Sequence, residues 1–189
     1  QYAPVARACT EAAAALSKDT SAASIQALAK VLKTERVFWG TRAACAKALG
    51  QLRTPGARAA LLASLSVKHP KARRAVVAAL GNFRGDEEIS KALAAMAKSG
   101  DASGFVEGEL GRALGRLRGE HAVETLTKLM GRVAFQDAVR VGAIDGFAEL
   151  KDPRGWQPVL DALAPGQPVF GPRAAIIALA KLAEPLAQK

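Results

Sequence analysis

The chain is poor in the residues that carry most protein chemistry. Its 189 residues include two cysteines, two histidines and one tyrosine, and aromatic residues make up only 5%. Two cysteines, Cys9 and Cys45, cannot build a disulfide-dense scaffold, and no Cys-x-x-Cys spacing is present. Both sit in alanine-rich helical stretches, which favours small buried thiols over a disulfide or a metal pair. His69 and His121 are far apart in sequence, so no His-Glu-x-x-His zinc helix can form within this chain. The Gly-x-Ser-x-Gly elbow and the phosphate-binding Gly-x-x-x-x-Gly-Lys-Ser/Thr loop are also absent. No uncharged apolar run approaches the roughly 18 residues a membrane helix needs. Acid is scarce as well: 17 Asp and Glu stand against 27 Lys and Arg, a formal net charge of +10.

What is abundant is alanine and leucine, at 42 and 21 residues, together a third of the chain. Both favour helix strongly. A motif of the form large apolar, small, any, large apolar recurs with its small residue at Gly50, Gly81, Gly115, Ala148 and Ala180. That is a period near 32 residues. On a helix the small residue lets a neighbouring helix approach closely, while the flanking apolar residues face the core. Three residues later comes Arg53, Arg84, Arg118 or Lys151, a cation that complements a helix C-terminus. Pro55, Asp86-Glu87, Glu120 and Pro153 then open the next helix.

The second helices are equally legible. Ala57 to Leu65, Glu87 to Ala97, His121 to Met130 and Trp156 to Leu163 each place apolar residues at i, i+3 and i+4. Val5 to Leu16 reads as the second helix of an incomplete first repeat, with residues 1–21 forming a partial cap. No stretch alternates with period two. The expected fold is therefore all-α, a single HEAT-like α-solenoid domain over residues 1–189 with about five helix pairs plus the partial repeat. That makes about eleven helices and no sheet, each pair burying its apolar face on its neighbours. The opening Gln1-Tyr2-Ala3-Pro4 has neither Met nor a signal-peptide pattern, so a processed protein or a fragment of a longer one is expected.

Most individual polar residues have a structural explanation ready. Gly111, Gly115 and Gly119 read as close-packing and helix-ending glycines. Glu107 with Glu109, and Asp86 with Glu87 and Glu88, read as helix-start or solvated acids rather than catalytic pairs. His69 and His121 read as turn or surface histidines, and Trp39 and Trp156 as packing residues. Arg42, Arg73, Arg140 and Arg173 recur once per repeat. They either bond a carbonyl or acid in a neighbouring turn or form an arginine ladder facing an anionic partner.

The ordered repeats resemble a known family. Phe38-Trp39-Gly40-Thr41-Arg42 with Ala48-Leu49-Gly50 is followed by His69-Pro70-Lys71-Ala72-Arg73 with Ala79-Leu80-Gly81. Then come Gly100 to Glu107 with Ala113-Leu114-Gly115, Val139-Arg140-Val141-Gly142-Ala143 and Arg173-Ala174-Ala175. The set, spanning residues 22–184, resembles the C-terminal helical repeat region of bacterial aminopeptidase N-like zinc metallopeptidases. Gly104 departs from that pattern, where an aromatic is expected. The resemblance implies a non-catalytic domain that packs on an upstream catalytic domain and restricts substrate access. Zinc would belong to that upstream domain, and no catalytic, cofactor or metal residue carries over to this chain.

Two other functions compete. One is a free-standing HEAT-repeat interaction scaffold, like the repeats of phycobilin lyases. The other is nucleic-acid binding, as in HEAT-like alkylpurine DNA glycosylases; the charge motivates it and the few aromatics disfavour it. The charge is uneven: residues 1–74 hold thirteen Lys or Arg and three Asp or Glu, and residues 75–189 hold fourteen of each. In a solenoid the first stretch is one physical end. Lys30, Lys33, Arg36, Arg53 and Arg58 are the expected docking residues for an acidic surface, on the upstream domain or another protein. No membrane contact is expected, and a cytoplasmic setting is favoured.

Overall fold

The structure is a computed structural model that describes residues 2–166 and 170–183. Among them are eleven α-helices and no strand. They form two compact units, residues 1–83 and 84–189; Gln1, residues 167–169 and the last six residues lie outside the described part.

Unit 1 holds α1 (Tyr2–Ala15), α2 (Ala22–Lys33), α3 (Trp39–Leu52), α4 (Pro55–Leu62) and α5 (Pro70–Leu80). The helix starts follow from local chemistry. Ser21 accepts from the Ser24 amide to cap α2, and Thr54 accepts from the Ala57 amide to cap α4. Pro55 and Pro70 occupy first turns, where a missing N–H costs nothing. The expected strong helix over 38–52 is α3. It ends at Arg53, whose φ of 51° is left-handed. The core is built from Leu28, Leu32, Leu49, Leu61, Val76 and Leu80, all buried. A Cβ on Gly50 would sit 2.9 Å from the Ala79 Cα, so α3 and α5 pack with their backbones close.

Unit 2 holds α6 (Glu87–Ser99), α7 (Gly104–Leu117), α8 (Ala122–Met130), α9 (Ala138–Leu150), α10 (Trp156–Asp161) and α11 (Phe170–Ala183). Asp86 caps α6 by accepting from the Ile89 amide at 3.0 Å. The helices α7 and α9 end at Arg118 and Lys151, again left-handed. Their cations lie at the carbonyl ends, as the sequence spacing requires. The repeat spacing around Ala148 predicts a helix from Gln136 to Leu150, and it opens instead at Ala138. Gln136 and Asp137 are both left-handed, which an α-helix cannot accommodate. Leu93, Leu110, Leu114, Leu126, Ile144 and Phe147 fill the core.

The tightest contact in unit 2 is between α7 and α9. A Cβ added at Gly115 would lie 2.1 Å from the Gly146 carbonyl oxygen. At Gly111 it would lie 2.7 Å from the Gly142 carbonyl, and at Gly142 2.1 Å from the Gly108 carbonyl. These backbones touch directly. Arg112 to Asp145, at 2.8 Å, and Arg118 to the Glu149 carbonyl, at 3.1 Å, tie the same two helices.

Candidate functional site

The docking residues expected from the charge fall at two opposite ends of unit 1. Lys30 and Lys33 lie in the last turn of α2, and Arg36 lies in the turn that leads to α3. Arg53 closes α3, and Arg58 lies one turn into α4. The 14 residues of α3 span about 20 Å, which separates the two groups. Counting charge along the sequence cannot see this, because each helix reverses the direction of its predecessor.

The first group belongs to a larger cluster. The turn before α3 and the turn before α5 adjoin: Lys68 Nζ lies 3.2 Å from Glu35 Oε1. Trp39 and His69, at the starts of the two helices, stack with ring centres 6.0 Å apart and planes 14° from parallel. Phe38 leans on Trp39 at 5.1 Å, and Lys71 Nζ stands 4.4 Å over the Trp39 ring. Residues 30–42 and 67–74 together carry eight Lys or Arg and one carboxylate, Glu35. Lys30, Lys33, Arg36, Lys68 and Lys71 are exposed, and so is Phe38 at 53%. This end thus offers exposed cations around a fixed aromatic platform, suited to an anionic surface that also has apolar groups to cover. His69 helps fix the platform: its Nδ1 accepts from the Lys71 amide at 3.3 Å and caps α5.

The aromatic platform was missed in the sequence as a joined set. Its signal was present, since Phe38 and His69 occupy the same place one repeat apart. The recurring arginines have mostly structural surroundings. Arg42 is 2% exposed, and its Nε donates to the Leu32 carbonyl at 2.8 Å, which locks the end of α2 to the start of α3. Arg73 Nη1 donates to the Val67 and Lys68 carbonyls at 2.8 and 2.9 Å. Arg140 Nε approaches Asp137 Oδ1 at 3.5 Å. Arg173 is exposed on α11. Arg42, Arg73 and Arg140 therefore brace the turns that precede their own helices.

Unit 2 holds a cavity of about 370 Å³ between α6 and α8, lined by Lys98, His121, Glu124, Lys128 and Arg132 among others. Three of its charged groups are paired. Lys128 Nζ meets Glu124 Oε1 at 2.5 Å, and Arg132 bridges Glu107 and the Ala97 carbonyl. The Lys128 bond holds the Glu124 carboxyl below its ordinary range. Glu109 pairs with Arg112 and Arg116. Among the described residues, no group of three or more His, Cys, Asp or Glu is placed to hold a metal ion. No helix among them is long and apolar enough to cross a membrane.

Comparison with known proteins agrees with this architecture. Residues 37–104 match the HEAT-repeat family. The fold is the HEAT-type helical repeat. Three solved structures share it at low identity. The complex of CpcE and CpcF of phycocyanin lyase from Nostoc sp. PCC7120 matches at 19% identity and a TM-score of 0.63, covering 96% of this chain and 72% of that one. Human deoxyhypusine hydroxylase matches at 20% identity and 0.50, covering 94% and 80%. An engineered protein matches at 19% identity and 0.51, covering 92% and 89%. No curated protein sequence matches the chain.

These findings overturn the aminopeptidase resemblance. The matches lead to HEAT repeats, a lyase complex and a hydroxylase. The reason is physical. Gly50 meets Ala79, Gly115 meets Gly146, and Arg42 and Arg73 hold turn carbonyls. Such residues serve HEAT-type packing in general and do not mark one enzyme family. The catalytic-domain partner and the zinc that the resemblance implied lose their support with it.

Proposed function

We propose that this chain is a HEAT-type protein-interaction scaffold, and that the basic, aromatic end of unit 1 binds an acidic surface of its partner. The carrying observation is the joining of the exposed Lys30, Lys33, Arg36, Lys68 and Lys71 with Phe38, Trp39 and His69 across two adjacent turns, against a single carboxylate, Glu35. The Nostoc relative in fold is itself a complex of two protein chains, which supports an interaction role. Charge at such an end steers the encounter, and the exposed Phe38 ring adds apolar contact area. Trp39 already has His69 and Lys71 against it. Phe38 is therefore the ring open to a partner, and a single open ring favours a protein surface over a run of stacked bases.

Fluorescence anisotropy tests this with a Glu-rich peptide carrying aliphatic residues, and with a single-stranded oligonucleotide of equal charge, across a salt series. The peptide should bind, and binding should weaken with salt. Reversing Lys30, Lys33, Arg36 and Lys71 to Glu should abolish it, while reversing Arg53 and Arg58 should leave it near wild type. Equal loss from both sets, or stronger binding of the oligonucleotide, would overturn the proposal.

A further inference from the structure

The chain has two cysteines, 36 positions apart in sequence, and both line one cavity of about 240 Å³ in unit 1. Apart from Thr41 the other walls are apolar, with Ala13, Leu28, Val31 and Val37 among them. The helices explain the meeting. Helix α1 and the turn Leu16–Lys18 after it both pack on α3; since Ala6 meets Thr41 near the start of α3, that turn reaches α3 only if the two helices run parallel. Thr41 Oγ1 donates to the Ala6 carbonyl at 3.4 Å, which sets their register. Cys9 lies one turn beyond Ala6, and Cys45 lies one turn beyond Thr41, in the same direction. The two thiols therefore stand at one level on neighbouring helices. Each has a different environment: Cys9 is exposed, against the expectation of a buried thiol, and Cys45 is buried. Burial pushes the Cys45 thiol up to about 11, and the nearby Cys9 charge adds to the shift.

We infer that Cys9 and Cys45 form a reversible internal disulfide that fastens α1 to α3. Packed helices have axes about 8–10 Å apart and Cα radii of about 2.3 Å, so facing Cα atoms approach to about 3.5–5.5 Å, which overlaps the span of a disulfide. The exposed and buried thiols divide the reaction between them. The Cys9 thiolate attacks a low-molecular-weight disulfide such as oxidised glutathione. The oxidant's S–S bond breaks, one glutathione thiolate leaves, and a mixed disulfide remains on Cys9. Cys45 gives its proton to solvent and attacks Cys9 Sγ, which expels the second glutathione thiolate. The protein loses two electrons and two protons, and the oxidant becomes two thiols. Since Cys45 must ionise from an apolar wall, closure quickens as pH rises towards its raised value.

The test incubates the full chain with oxidised glutathione, unfolds it, alkylates with N-ethylmaleimide and weighs the product. The expected species is a monomer two hydrogens lighter than the reduced chain that takes up no maleimide. Dithiothreitol should restore two reactive thiols. At micromolar protein the internal bond should outpace dimer formation by roughly a thousandfold, because tethered groups meet at millimolar effective concentration. Cys45→Ala should stop at the glutathione adduct on Cys9. Cys9→Ser, which leaves the buried wall intact, should leave Cys45 without glutathione. Wild-type protein that stops at the Cys9 adduct with Cys45 still open to maleimide, or that links into dimers through Cys9, would overturn the inference.

Discussion

Gly115→Ala is the sharpest perturbation of this fold. The new Cβ would sit 2.1 Å from the Gly146 carbonyl oxygen and 2.7 Å from its Cα. An ordinary contact begins near 3.4 Å, so α7 and α9 must separate by more than 1 Å. The obstacle is backbone and cannot swing aside as a side chain does. Overpacking of this kind costs about 1–3 kcal/mol, and an unyielding neighbour places it at the upper end. Against it stands the helix-propensity gain of Ala over Gly, about 1 kcal/mol. The net expectation is a loss of about 2 kcal/mol. Gly56→Ala is the matched control, since its Cβ would meet Ile25 Cδ1 at 3.5 Å, a normal contact. There the propensity gain is unopposed, and stability should rise by about 0.5–1 kcal/mol. Urea unfolding should be followed by Trp156 fluorescence in a Trp39→Phe background, which isolates unit 2, and by circular dichroism for Gly56→Ala. A Gly115→Ala midpoint at or above wild type would refute the close-packing argument.

Other expectations follow from the same contacts. Arg42→Ala should destabilise unit 1 by about 2–3 kcal/mol in urea unfolding, because the Leu32 carbonyl loses its partner in a buried site. Arg53→Gly should stabilise by up to about 1 kcal/mol, since glycine adopts the left-handed φ of 51° without strain. The same variant should leave peptide binding unchanged, because Arg53 stands at the far end of α3 from the aromatic platform. Hydrogen bonds from Ser24, Arg154 and Lys128 hold Asp19, Asp152 and Glu124 below the ordinary carboxylate range. Depressed carboxylates stabilise the fold above about pH 4, and that stability is lost as pH falls through their folded values. Thermal melting midpoints should therefore drop between pH 5 and pH 3, measured by circular dichroism.

The helical repeat was legible because its signals are local. The small anchors at Gly50 and Gly115 meet neighbouring helices closely, and α6 and α8 begin within a residue of their expected starts. The expectation slipped at Gln136, where apolar spacing says helix and two left-handed residues delay it. Nothing in the residue types announces those conformations. The candidate site was half legible. Its charge excess was countable, but Lys30, Lys33 and Arg36 part from Arg53 and Arg58 through helix reversal. The meeting of Trp39 with His69, and of Cys9 with Cys45, depends on tertiary register that composition does not carry. The aminopeptidase resemblance failed for the opposite reason: its residues do general packing work, so they mark an architecture and not an activity.

The contact of α7 with α9 also constrains how this protein can change over generations. A surface made of side chains can drift, one residue shrinking as its neighbour grows. Here Gly111, Gly115, Gly142 and Gly146 already sit at the lower limit of size. No second substitution can make room for a first, so compensating pairs do not exist at this joint. Its descendants must keep these glycines or abandon the spacing between the two helices altogether, while the surrounding repeats remain free to vary.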